Sequence, residues 1–338
     1  MNADKRPVVD VGSLIDLFRH AGVDFGDFGP CSLDDAQFVV FGVPFDGTAS
    51  FCKGSRSGPA AIRRASSELV ETYLLDYGVD LAQAVKLHDL GDYKLPVAAG
   101  AEAKSGGGAE DGAGGGVEAA LEALEGLTSV VCALRAAGKV PLCLGGEHTV
   151  TWFLARGVAR ERPVLLHLDA HQDFKPSYEG RATCHATPFY QLTREAFPGS
   201  DVVQVGVRQA DPEEERLAAE AGVTTYTSWD VRDGVEEVAA FVREKTAGRP
   251  TYVSVDVDVL DAPFVPATGT PVSFGLTPEQ VLRVLTSVAG PVVGVDLVEV
   301  GLDPNYREAE VATQLLFRLL AHAEGFSPKR GEGRGERS

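Results

Sequence analysis

Seven short runs in this 338-residue chain are apolar on both faces: FVVFGV (38–43), VKLHDLGD (85–92), PLCLGG (141–146), VLLHLD (164–169), VVQVGV (202–207), TYVSVDV (251–257) and PVVGVDL (291–297). A strand with one wet face alternates apolar and polar residues. Strands that largely lack this alternation belong in a parallel sheet with helices over both faces. Longer stretches between the runs predict helices over 117–138, 149–160, 212–221, 235–247, 277–289 and 309–324. Two of these open with Pro near the first turn, in Asp211-Pro212-Glu213 and Thr277-Pro278-Glu279. The alternation predicts one α/β domain, a three-layer αβα arrangement around a mostly parallel, doubly wound sheet. In such sheets the ligand site lies beyond the carboxyl ends of the strands.

Domain limits follow from composition. The expected domain spans 36–324, after an N-terminal segment 1–35. Residues 98–116 are Gly/Ala-rich with no pattern able to bury a face, and read as a flexible insertion. Residues 325–338 form a polar Gly/Arg/Glu tail expected to be disordered. Acidic residues number 49 and basic ones 31, for a formal net charge of −18. That balance argues against a nucleic-acid partner and suits a small cationic one. No apolar window is long enough to span a membrane, and the N-terminus lacks a signal-peptide core. Five cysteines without a CxxC pair read as reduced thiols in the cytoplasm.

Charged residues stand where the apolar runs stop. VLLHLDAHQDF places Asp169, His171 and Asp173 on one face of extended chain. Two carboxylates and an imidazole crowded there need compensation, which a divalent cation gives directly. TYVSVDVDVLD places Asp256 and Asp258 at another apolar run's end, where unpaired buried charge is costly. Asp261, three residues on, reads as a turn residue. LGGEHTV presents His148 after two glycines that permit close backbone approach. GVDLVEV holds Glu299, a cap, a buried pair member or a carboxylate facing a cationic substrate. Six candidate ligands, four of them acids, are too many for a closed structural zinc site. They suit two ions sharing carboxylates, with Mn²⁺ the natural choice for mixed oxygen and imidazole donors. Hydrolysis of a poor electrophile is the chemistry such a centre serves.

GGEH, DAHQD, SVDVDVLDAPFVPATGTP and DLVEV, in this order, resemble the ureohydrolase family, which includes arginase and agmatinase. VPFDGTASFCKGSRSGPAAIRRAS and the HDLGD run add to the likeness, which covers roughly residues 36–320. The resemblance implies an arginase-like fold and two Mn²⁺ per chain. Asp169 and Asp256 would bridge them, with His148 and Asp173 on one side and His171 and Asp258 on the other. It also implies that Glu299 holds a guanidinium group and that His185 or Asp258 delivers a proton to the departing amine. Products would be urea and a primary amine, and assembly would be a homo-oligomer, trimeric or hexameric.

Glu147 departs from the common GGDH pattern, outside the ligand set. PATGTPV, which carries Thr270 as an expected substrate contact, is closer to arginases. The loop FKPSYEGRATC lacks the Asn of arginases, and its SYEG pattern is closer to agmatinases, so agmatine to putrescine is the first expectation. Lys175 and Arg181 in that loop oppose a substrate with a second cation, unless Glu179 neutralises one. They would suit guanidinobutyrate or formiminoglutamate; guanidinopropionate, aminopropylagmatine and arginine complete the alternatives. A zinc deacetylase-like amidohydrolase and a metal-free regulatory homologue are the competing classes.

Overall fold

The computed structural model describes residues 11–96 and 114–329. The chain first runs through β1 (Phe18–Arg19), β2 (Phe38–Gly42), α1 (Gly58–Glu68), a hairpin of β3 (Tyr73–Leu74) and β4 (Val79–Asp80), α2 (Leu81–Ala84) and β5 (Leu87–Tyr93). Then come α3 (Gly114–Ala136), β6 (Val140–Leu144), α4 (Thr149–Val158), β7 (Val164–Leu168), α5 (Pro188–Glu195) and β8 (Val202–Val207). The last part holds α6 (Pro212–Ala221), β9 (Thr224–Thr227), α7 (Ser228–Thr246), β10 (Thr251–Asp256), α8 (Pro278–Leu285), β11 (Val292–Val298) and α9 (Arg307–Ala323). Each of the seven predicted apolar runs contains a strand.

The main sheet has the order β1-β5-β2-β6-β11-β10-β7-β8-β9. Only β1 runs antiparallel to its neighbour. Alternate side chains of each central strand feed two separate apolar cores. Phe38, Val40, Leu166, Leu168, Val253 and Val255 pack with α1, α7, α8 and α9. Val39, Phe41, Leu165 and Tyr252 pack with α3, α4 and α5 on the opposite face. Each fully buried Val, Leu or Phe contributes about 1.5–3 kcal/mol, so double-sided burial is what selects this sheet. His167, Ser254 and Asp256 alternate into the second face at polar positions, all buried.

Several elements differ from expectation. Helix α7 breaks at Gly234, which is non-helical, so its second part matches the expected helix from 235, and an unexpected first part starts at Ser228 with Thr227 and Asp230 forming a capping box. Helix α3 begins at Gly114, so 114–116 belong to it, while 98–113 of the proposed insertion lie outside the described residues. Helix α1 carries Arg63 on its inner face, wholly buried. Its guanidinium donates to Asp89 at 2.7 Å, to Asp92 at 2.7 Å and to the Gly91 carbonyl at 3.0 Å. A buried charge on the core face hides the apolar period that identifies a helix. Leu14, Phe18, Phe25 and Leu33 of the N-terminal segment are buried in the same two cores. In the tail, Lys329 N–H donates to the Asp76 carbonyl, and 330–338 lie outside the described residues. Among the described residues no helix is long and apolar enough to cross a membrane.

Candidate metal centre

Strands β6, β11, β10 and β7 are consecutive in the sheet. Their carboxyl ends are level, with Leu144 paired to Leu297, Val298 to Asp256, and Val255 to Leu168. The residues that follow therefore converge. His148 stands at the N-cap of α4, Asp169 directly follows β7, Asp256 ends β10 and Glu299 follows β11. Gly146 lets the chain turn toward the site, since a Cβ there would meet the Phe45 carbonyl at 1.9 Å. Asp256 accepts from the N–H of Asp258 at 2.9 Å and caps the 3₁₀ turn Val257–Val259 that aims Asp258 inward. Asp173 and Glu299 adopt left-handed backbone at φ +50° and +61°. Such strain, of order 1–3 kcal/mol per residue, concentrates at functional sites.

The side chains meet closely. His148 Nδ1 lies 2.9 Å from Asp169 Oδ2, 3.0 Å from Asp173 Oδ2 and 3.3 Å from Asp256 Oδ2. His171 Nδ1 lies 3.0 Å from Asp258 Oδ2 and 3.5 Å from Asp169 Oδ1. Asp169 thus touches both histidines. All except His171 are buried. Burial, then the neighbouring Asp169, raises the Asp173 pKa to about 7. Burial and then Asp258 push Asp256 well above its ordinary range. Four acids packed this way call for positive charge among them.

The hydrogen bonds of His148 show which ring atom it turns toward those acids. Ser254 Oγ donates to Asp296 Oδ1 at 2.6 Å, so it accepts from the His148 Nε2–H at 3.1 Å. Tyr252 also donates to Asp296, at 2.6 Å, fixing that carboxylate. With Nε2–H engaged by Ser254, Nδ1 is the ring atom that faces three carboxylate oxygens, and its lone pair is the one a cation among them would meet. Nδ1 is buried and makes no hydrogen bond. An imidazole lone pair converging with carboxylates is a metal-ligand arrangement. The residues present fit a metal centre.

Several contributors escape sequence reading. His167 is wholly buried and lies 2.8 Å from Asp169 Oδ2 through Nε2. Gln204 of β8 donates to its Nδ1 at 3.0 Å, which leaves Nε2–H to orient Asp169. Glu147 accepts from Thr48 N–H at 2.9 Å and from Thr149 Oγ1 at 2.6 Å. Thr48 Oγ1 also contacts Glu147 and accepts from His185 N–H at 3.2 Å. Glu147 therefore braces the His185 segment. Arg208 donates to the carbonyls of Asp258, Val272 and Ser273 at 2.6, 2.9 and 3.1 Å, pinning the Asp258 turn to the following loop. Asp261 accepts from Gly275 N–H at 2.9 Å, a turn role.

Above the cluster lies a cavity of about 360 Å³, lined among others by His148, His171, Asp173, Asp256, Glu299, His185 and Thr270. Glu299 Oε1 accepts from His148 N–H at 2.8 Å. Burial, then Glu147, raises the Glu299 pKa to about 8. His185 Nε2 lies 3.3 Å from Ser50 Oγ, and its Nδ1 has no hydrogen-bond partner. Burial lowers its pKa to about 4, so the ring is neutral near pH 7. Lys175 also lines the cavity. Glu179 does not neutralise it: Glu179 is exposed and outside the cavity lining. Lys175 Nζ instead pairs with Asp211 and, at 2.8 Å, with Glu214. Arg181 pairs with Glu118 at 2.6 Å.

Replacing Ser254 by Ala removes the acceptor that fixes His148. Affinity for a divalent metal ion should fall about 10- to 100-fold, the usual cost of losing a metal ligand's hydrogen-bond partner. Titration of the metal-free protein reads this directly, and unchanged affinity would remove Ser254 from the centre.

The family model for the arginase family matches residues 36–323. The agmatinase of Bacillus anthracis is 36% identical over 275 residues, covering 80% of this chain and 85% of that protein. An N(1)-aminopropylagmatine ureohydrolase of Thermus thermophilus is 35% identical over 294 residues, covering 85% and 90% respectively. The crystal structure of the agmatine ureohydrolase of Thermoplasma volcanium superposes with a TM-score of 0.76 at 30% identity, over 93% of this chain and 97% of that one. With strand order, buried ligand cluster and sequence all in agreement, the chain belongs to the arginase family.

Proposed function

We propose that this protein hydrolyses agmatine to urea and putrescine with two Mn²⁺ per chain. The observation that carries the guanidinium part is Glu299, a half-buried carboxylate lining the cavity beside the acid cluster. The agmatinases among its relatives support agmatine. His148, Asp169, Asp173 and Asp256 would hold one ion, and Asp169, His171, Asp256 and Asp258 the other. When bound, a pair of divalent cations supplies the Lewis acidity that makes water nucleophilic near neutral pH.

The protein's residues do the rest. Glu299 binds the guanidinium and positions its carbon over the cluster, the orientation term of the barrier. A bound cation also favours the ionised Glu299, offsetting the burial that raises its pKa. His185, held at Nε2 by Ser50 and open at Nδ1, takes up a proton and passes it to the departing amine. The resemblance also supports a homo-oligomer, trimer or hexamer, and five cysteines outside any disulfide among the described residues support a cytoplasmic location.

The test is urea release from agmatine, aminopropylagmatine, arginine, guanidinobutyrate and guanidinopropionate after Mn²⁺ loading, with formamide release from formiminoglutamate. Agmatine should give the highest kcat/KM. No urea from any of them would overturn the reading, and one metal per chain with amide cleavage would favour the deacetylase class. Replacing His185 by Ala should slow turnover about 10²- to 10⁴-fold, the range of a general acid–base contribution, with metal content unchanged. Loss of metal in that variant would assign His185 a ligand role instead.

A further inference from the structure

The outer part of the cavity holds a small set of charges. Among the described residues, apart from the ligand cluster, His185 and Glu299, its charged lining residues are Lys175, Asp211 and Glu214. The ligands other than His171 are buried at the inner end, whereas the Asp211 side chain is 48% exposed and marks the mouth. Lys175 Nζ lies between Asp211 and Glu214, over the ring of Tyr178 at 5.9 Å. The ammonium makes an ion pair with each carboxylate. One cation against two acids leaves one net negative charge at the mouth.

Both acids also have structural work. Asp211 caps α6, and Glu214 closes the capping box and accepts from Phe174 N–H at 3.3 Å. A cap needs no lysine: the box is complete through backbone N–H groups alone. Lys175 is therefore an added charge, and it reaches the pair from the loop that carries Asp173.

We propose that Lys175, Asp211 and Glu214 act as one net-negative unit that selects guanidines whose far end is a second cation over those ending in a carboxylate, with Lys175 as the residue that sets the strength of that preference. The inference rests on the guanidine-hydrolase reading and names its substrate class. A lone lysine at this position would attract an anionic far end. Paired with two acids, it tempers their pull on a cation without reversing it. Such fields discriminate between partners of opposite charge more than they add affinity.

The ratio of kcat/KM for agmatine over 4-guanidinobutyrate reads the preference. Lys175→Met keeps the stem and removes the charge, so the ratio should rise about tenfold, through KM, and less at high salt. Glu214→Gln preserves the capping box and should lower the ratio by a similar factor. A merely structural role would weaken both substrates together and leave the ratio in place. An unmoved ratio in both variants overturns the proposal. So does a lower ratio in Lys175→Met, which would mean that the lysine does not temper the acids' pull. Binding of putrescine against 4-aminobutyrate, followed calorimetrically on the manganese-loaded protein, gives the same comparison without turnover. If product preference shifts as stated while neither guanidine is hydrolysed, the functional reading fails and the charge unit stands. If urea forms and neither comparison moves, only the charge unit fails.

Discussion

Replacing Asp256 by Ala should strip the centre of metal and lower kcat/KM by at least about 10³-fold, the scale seen when a whole electrostatic stabiliser is lost. The reason is geometric. One oxygen of Asp256 lies 3.3 Å from His148 Nδ1, and the other accepts from the Asp258 backbone. The substitution removes a donor shared by the cluster and releases the turn that aims Asp258. Both halves of the centre are affected. Metal analysis of the purified variant checks this, and normal metal content with normal turnover would contradict Asp256's place at the centre.

Replacing Glu299 by Gln should lower kcat/KM about 10²- to 10⁴-fold, because a desolvated charged pair loses roughly 3–5 kcal/mol when one partner is removed. Glu299 is half-buried on left-handed backbone, with one carboxylate oxygen fixed by His148 N–H. Gln keeps the shape and an acceptor oxygen but loses the charge that pairs with guanidinium. Metal content should stay near the wild-type value, which separates this variant from Asp256→Ala. An unaltered kcat/KM would place the guanidinium elsewhere.

Much of this arrangement was legible in the sequence because burial makes charge conspicuous. Strands apolar on both faces pointed to a covered parallel sheet, and acids at the ends of those runs stood out against it. His148, Asp169, His171, Asp173, Asp256 and Asp258 announced themselves in that way, and the structure brings them together. His167 did not, although it sits two residues before Asp169 on the same face. Its partner Gln204 lies on another strand, so its pairing is invisible to local pattern. Arg208 binds carbonyls, which every sequence position possesses. Lys175 read as an unopposed cation because Asp211 and Glu214 come from a helix beyond strand β8. Ligand sets at strand ends are local features, whereas the contacts that tune them are made across the fold.

The ends of β6, β7 and β10 would hold two cations between His148, His171 and four aspartates. Diffraction from crystals of the manganese-loaded protein, collected at the manganese absorption edge, tests this most directly. The account predicts two anomalous peaks, one beside His148 and Asp173 and one beside His171 and Asp258, with Asp169 and Asp256 reaching both. A single peak, or peaks away from these six side chains, would contradict it.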